Sequence, residues 1–420
     1  MSAPPPVPLP ATPPVPPPVA SASPPSTTPP VAPPVASAAP SPVPPSAPPP
    51  VPPLVPPPSR LTARLQALQS ALRRAVVDAA FIGAGADLLY FTGLDLPLTR
   101  RLVLLTVPAH GVPTLVLPHF EAVGADVAGV RVRRVADGED AMAAALDALP
   151  DGPDLVVAAA GDLPVRVLLE ADRRAQVGRW RDAGEFTGPL RLVKDAAELA
   201  ALAEAAERAD AAISEALAPG IAGRSERDIA RLVEERLRAG GFDPASVTTL
   251  VAAGAHAADL RHRMGAEPIA VGVPVLVDVT ARWQGYYADV SRTAHTGAPS
   301  GEVAAAFQCV RRVLDESLAL IRPGTAAAEV ERRARAAFAA AGFGGHVKHR
   351  IGHGVGLELH EGPQLDADSD TLLAEGMVFS LQPGVYVDGG FGVRTEAVAV
   401  VTATGCRLLN TVAAHPGTVA

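Results

Sequence analysis

The sequence predicts an α+β protein made of a small α/β domain and a larger domain of paired helices and antiparallel strands, behind a proline-rich tail. Three observations predict it. The composition changes abruptly near residue 58, short apolar runs fill residues 60–190, and one helix-pair pattern then occurs twice.

Residues 1–58 hold 28 of the 45 prolines and no charged or aromatic side chain. Such a segment buries too little surface to offset its ordering entropy, so 1–58 is expected to be a disordered Pro/Ala-rich tail. It lacks the basic start and unbroken apolar stretch of a signal peptide. Docking as a polyproline II segment is the functional alternative.

From Leu61 to Arg73 the apolar residues follow helical spacing, and "VVDAAFIGA", "RLVLLTV", "TLVLP" and "DLVVAAA" then read as strands. This places an α/β domain over residues 59–190. In residues 191–420 the texture shifts to long helices and isolated strands. "PGIAGRSERDIARLVEERLRAGGF" starts at Pro219 and "PGTAAAEVERRARAAFAAAGF" at Pro323. Each has a Pro-Gly stop, a helix and a closing Gly-Phe, so two similar units should form one pseudo-symmetric domain with helices on one face of antiparallel strands.

The net charge of −8 argues against a nucleic-acid partner, and no apolar run approaches the roughly 20 residues that span a bilayer. Cys309 and Cys406 form neither a disulfide framework nor a metal pattern. A soluble cytoplasmic protein with no membrane partner is expected.

The strand segments of the second domain carry acids. Asp278 interrupts "PVLVDVT", Asp289 sits in "YYADVSRTA" across the turn "ARWQG", and Glu396 lies within "FGVRTEAVAVV". Carboxylates in apolar strands are costly unless protonated or neutralised by a cation. "HRIGHGVGLELHE" adds His349, His353 and His360, with glycines flanking His353 that allow close backbone approach. Oxygen ligands with an imidazole suit Mn²⁺, Co²⁺ or Zn²⁺.

These stretches, with "MVFSLQPGVYV", resemble the pita-bread-fold metallopeptidases of the aminopeptidase P and prolidase branch, whose smaller N-terminal domain residues 60–190 also resemble. The resemblance implies an Xaa-Pro aminopeptidase or dipeptidase holding one or two divalent metals, with Mn²⁺ foremost and Co²⁺ or Zn²⁺ as alternatives. Asp278 would chelate one metal, Asp289 and Glu396 would bridge both, and His353 with position 382 would complete the second. His360 would stabilise the oxyanion or hold the substrate. His349 and Arg394 would line the pocket for a peptide with proline at its second position. A homodimer is expected.

The chain departs from the family at three places. Gln382 stands where the family has Glu, which lowers the ligand charge from −4 to −3. Arg261 stands where a proton-handling His is usual, with Leu260 for Pro beside it, and an Arg cannot shuttle protons. His262 is the neighbour that would take over that role. Ala397 replaces an Asp that commonly follows the last Glu. Two further readings therefore stand beside the peptidase: a pseudoenzyme that binds a peptide or protein partner, and a non-peptide C–N hydrolase of creatinase type.

Overall fold

The computed structural model describes residues 51, 53–121, 126–299, 301–410 and 418–419. Most of the expected tail, residues 1–50 and 52, lies outside them. The end of that segment does not behave as its composition suggests. Val51 donates its N–H to Gly241 O and Leu54 to Gln284 O, each at 2.9 Å, and both side chains pack on the main core. A side chain at Gly93, Gly241 or Gly285 would meet Val55, Val51 or Leu89 and Pro53. Residues 51 and 53–57 are apolar enough to dock where a groove is offered, which counting prolines does not reveal.

The helix Pro58–Arg74 starts with proline in its first turn, where a missing N–H costs nothing. It buries Leu61, Leu65, Leu68 and Leu72, the face its spacing predicts. Behind it lies a six-stranded mixed sheet. Its centre is Ala79–Gly83, flanked by Leu104–Pro108 and Leu155–Ala159, all of them short apolar runs. One edge is Arg131–Val135, whose sequence "RVRRV" is largely exposed, and charge suits an unpaired edge.

The second part contains the duplicated unit. Helices Ala196–Leu217 and Glu226–Ala239 precede strands Thr248–Ala253, Pro274–Trp283 and Tyr286–Thr296. Helices Gly301–Leu320 and Ala327–Ala340 precede Gly352–Gly354, Glu361–Leu365, Val378–Leu381 and Ala397–Val401. The Gly-Phe motifs close corresponding helices with Gly241 at φ +82° and Gly342 at φ +83°, a conformation that favours glycine.

The two halves are joined by a bridge in which Glu396 N–H donates to Ser291 O at 3.0 Å, and by hydrogen bonds between Thr293 and Arg394 beside it. In Pro274–Trp283, Val275, Val277, Val279 and Ala281 are fully buried on the helix side. Asp278, Thr280 and Arg282 alternate onto the other face and are only partly buried. The period-2 alternation therefore turns one face of this sheet into a polar floor.

Candidate metal centre

Strand register brings the acids to that floor. Asp278 pairs with Ser291 and Thr280 with Asp289, so Asp278, Asp289 and Ser291 share a face. The bridge from Ser291 then delivers Glu396. On the other half, His353 pairs with Ser380, and Ser380 with Val398. Gln382 directly follows the strand that carries Ser380, and its N–H donates to Ile351 O at 2.8 Å.

Ligand atoms of Asp289, His353 and Glu396 lie within 4.8 Å of one another, and all three residues are buried. His353 Nε2 stands 3.3 Å from Asp289 Oδ2. Its Nδ1 lies 3.2 Å from Gly354 O, and a carbonyl only accepts, so Nδ1 carries the hydrogen and Nε2 offers its lone pair. Burial, then His360, push the imidazole down to about 3, so it is neutral, the form that binds metals. The strand around His353 has no spare room. A side chain at Gly352 would collide with Ser380 O, and one at Gly354 with Gly362 O.

The carboxylates repel one another. Asp289 is raised well above the usual range by burial, then by Glu396 and Asp278. Asp278 is raised by burial, against the opposing pull of Arg394. Its Oδ2 is ion-paired to Arg394, while its buried Oδ1 has no hydrogen-bond partner. Two crowded acids and an imidazole that offers a lone pair fit a divalent cation, and the orphaned oxygen of Asp278 is a further acceptor that such a site would use. Ser380 Oγ donates to Glu396 Oε1 at 2.9 Å and orients that carboxylate.

Three expected roles fall differently. Arg394, expected in the substrate pocket, is buried. It pairs with Asp278, and its Nε donates to Ser291 Oγ at 2.8 Å, so it positions a candidate ligand. Two residues before Glu396 on a strand, it faces the same polar floor, where an acid captures it. His349, expected beside it, is engaged at both nitrogens. Nδ1 donates to Arg350 O at 2.9 Å and Nε2 accepts from Tyr386 OH at 2.7 Å. Burial lowers it to about 4, so it is neutral and occupied in holding Tyr386. His262, expected to replace the missing proton carrier, has its Nε2 2.7 Å from Glu226 Oε2 and belongs to a separate cluster. A loop position gave it freedom, and the buried carboxylate took it.

His360 is exposed, with its ring edge-on to that of His353 at 4.2 Å between centroids. Arg261 lines a cavity of about 410 Å³ with Lys348 and Asp388. Ser291, Ser380 and Tyr386 were missed. The alternation that marked Asp289 and Glu396 also passes through Ser291 and Arg394, and could have found the first of them.

Comparison with known proteins agrees with this geometry. Residues 200–403 match the model of metallopeptidase family M24, and residues 64–193 match the creatinase/prolidase N-terminal domain. A probable dipeptidase PepE of Mycobacterium tuberculosis is 33% identical over 84% of this chain and 96% of its own. The crystal structure of dipeptidase PepE from Mycobacterium ulcerans superposes with a TM-score of 0.77 at 34% identity, covering 86% of this chain and 98% of that one. A prolidase from Thermococcus sibiricus gives 0.78 at 27% identity, covering 86% and 99%. With its pita-bread domain and its creatinase-type N-terminal domain, this chain belongs to metallopeptidase family M24.

Proposed function

We propose that the protein is a metal-dependent dipeptidase or aminopeptidase acting on short peptides with proline at the second position. The observation that carries this reading is the convergence of Asp289, His353 and Glu396 beside the unpartnered Oδ1 of Asp278. Relatives named PepE dipeptidase and Xaa-Pro dipeptidase support the substrate class. Asp278, Asp289, Glu396 and His353 would hold the metal, Mn²⁺ by preference or Co²⁺ or Zn²⁺, with the Gln382 amide oxygen as a fifth, uncharged ligand. A divalent cation there supplies a hydrolytic water that ionises near neutral pH.

The remaining steps belong to the chain. Arg394 and Ser380 fix the carboxylates of Asp278 and Glu396 before any substrate arrives. His360, lowered by burial and by Arg350 and stacked edge-on to His353, would donate to a peptide carbonyl. Arg261 suits the anionic end of a dipeptide better than proton transfer.

Gln382 and Arg261 favour a second reading, a peptide-binding protein that no longer turns over. Loading the full chain with Mn²⁺ and assaying Xaa-Pro dipeptides against tripeptides separates the two. Hydrolysis of the dipeptide supports the first reading. Bound metal and bound peptide without hydrolysis support the second.

A further inference from the structure

A second cluster lies apart from the polar floor. Glu226 opens the helix Glu226–Ala239, where its side chain is 4% exposed. The loop that follows the strand Thr248–Ala253 begins with the short helix Gly254–Ala258 and folds His256 and His262 back onto that carboxylate. His256 Nδ1 is 2.9 Å from Glu226 Oε1, and His262 Nε2 is 2.7 Å from Oε2. The two rings stack with 4.2 Å between centroids at 18°. Ala253 N–H donates to Oε1 and Gly265 N–H to Oε2, at 2.9 and 2.7 Å, so the carboxylate is held from behind by backbone.

We propose that Glu226, His256 and His262 form a second divalent-metal site of the zinc class, which clasps the 254–262 loop to the helix. The three residues bring one ligand atom each within 4.8 Å of the others. Two bonds of roughly 2.0–2.1 Å meeting at roughly 90–109° span about 2.9–3.3 Å, so the nitrogen–oxygen separations need to open by only a few tenths of an ångström. The Glu226 carboxylate, held ionised by its hydrogen bonds, is the charged ligand that attracts a cation. The nitrogen-rich donor set selects Zn²⁺, Co²⁺ or Ni²⁺ over Mg²⁺ or Ca²⁺. His256 is 59% exposed, so solvent has access to complete the coordination. The backbone donors behind Glu226 are the supporting contacts a metal-bound carboxylate needs. The loop carries Arg261, and Ala257 packs directly against Gly392 on the strand Phe391–Arg394. A metal here would therefore immobilise the lip that bears Arg261.

The test is to count zinc. Full-length protein stripped with a chelator is equilibrated with Zn²⁺ and the bound metal measured, for the unmodified chain and for His256→Ala. The same pair is compared in an Asp289→Asn/Glu396→Gln background, where the polar floor is disabled. His256 lies on an exposed loop, so its loss should leave the fold intact, and circular dichroism verifies this. The expected result is one equivalent fewer with His256→Ala in both backgrounds, with Zn²⁺ raising Tm of the floor-disabled protein only when His256 is present. Equal stoichiometry with and without His256 overturns the proposal and leaves a hydrogen-bonded clasp. Because the readout is stoichiometry in the disabled background, its failure says nothing about peptidase activity, and the reverse also holds.

Discussion

Two clusters in this chain combine histidine with carboxylate, and they are built in opposite ways. At the polar floor, Asp289 and His353 come from two different strands, Glu396 is an isolated bridge residue between two more, and all are buried. Acids outnumber the donors offered to them, and one oxygen of Asp278 has none. At Glu226 a single carboxylate receives four hydrogen bonds, two from backbone and two from imidazoles on one loop. The first cluster is unstable as a set of charges and needs a cation to become consistent. The second is already satisfied and can exchange its imidazole bonds for a metal at little geometric cost. Ligand identity alone does not distinguish them; the count of unsatisfied atoms does.

The largest expected effect separates the two directly. His353→Ala should lower metal affinity at the floor by more than about 100-fold and abolish Xaa-Pro hydrolysis, since even supporting contacts are worth about 10–100-fold. Binding at Glu226 should be unchanged, which calorimetric titration of the variant will show.

Arg394→Met tests whether the floor is as electrostatically poor as its geometry indicates. It removes the one cation paired with Asp278 and should destabilise the metal-free protein by about 3–5 kcal/mol. The loss should shrink when metal is added, so urea melts with and without Mn²⁺ must diverge more in the variant than in the unmodified chain.

Gln382→Glu acts on the same charge balance with the opposite sign. At the proposed fifth ligand position it adds a negative charge, which should tighten metal binding on the order of tenfold and lower Tm in chelator, because ligand charge tunes such sites. A tighter site without any loss of metal-free Tm would mean that position 382 stands apart from the other acids.

The smallest effect concerns the satisfied cluster. Burial would raise the Glu226 carboxyl, but bonds from Gly265 N–H, His262 and His256 outweigh it and hold the group below its ordinary 4.5. A depressed carboxyl contributes stability that is complete above the unfolded value and is lost as pH falls through the folded one. Glu226→Gln should therefore lose stability near neutrality and show a shallower decline below about pH 4.5, read from thermal melts across pH.

The parts of the fold legible in the sequence were those with a strong local signal. Leucines at helical spacing marked Pro58–Arg74, and the repeated Pro-Gly and Gly-Phe punctuation marked both helix pairs. Acids inside apolar strands exposed Asp278, Asp289 and Glu396 for the same reason: a buried charge is conspicuous. What could not be read was set by contacts between distant segments. Nothing near Arg394 says that Asp278 will capture it, and nothing near His262 announces Glu226, 36 residues earlier. The docking of residues 51 and 53 depends on glycines as distant as Gly241 and Gly285.

The cage around His353 has a consequence for how this protein can drift in sequence. At positions 352 and 354 any side chain meets a carbonyl, so mutation there is barred by shape before charge matters. Position 382 is the reverse, because Glu and Gln fill the same volume and differ only in charge. Neutral wandering is therefore closed on one side of the metal centre and open on the other. A lineage can lose or regain a ligand's charge at 382 in one step, at a cost in metal-free stability but with no change of shape.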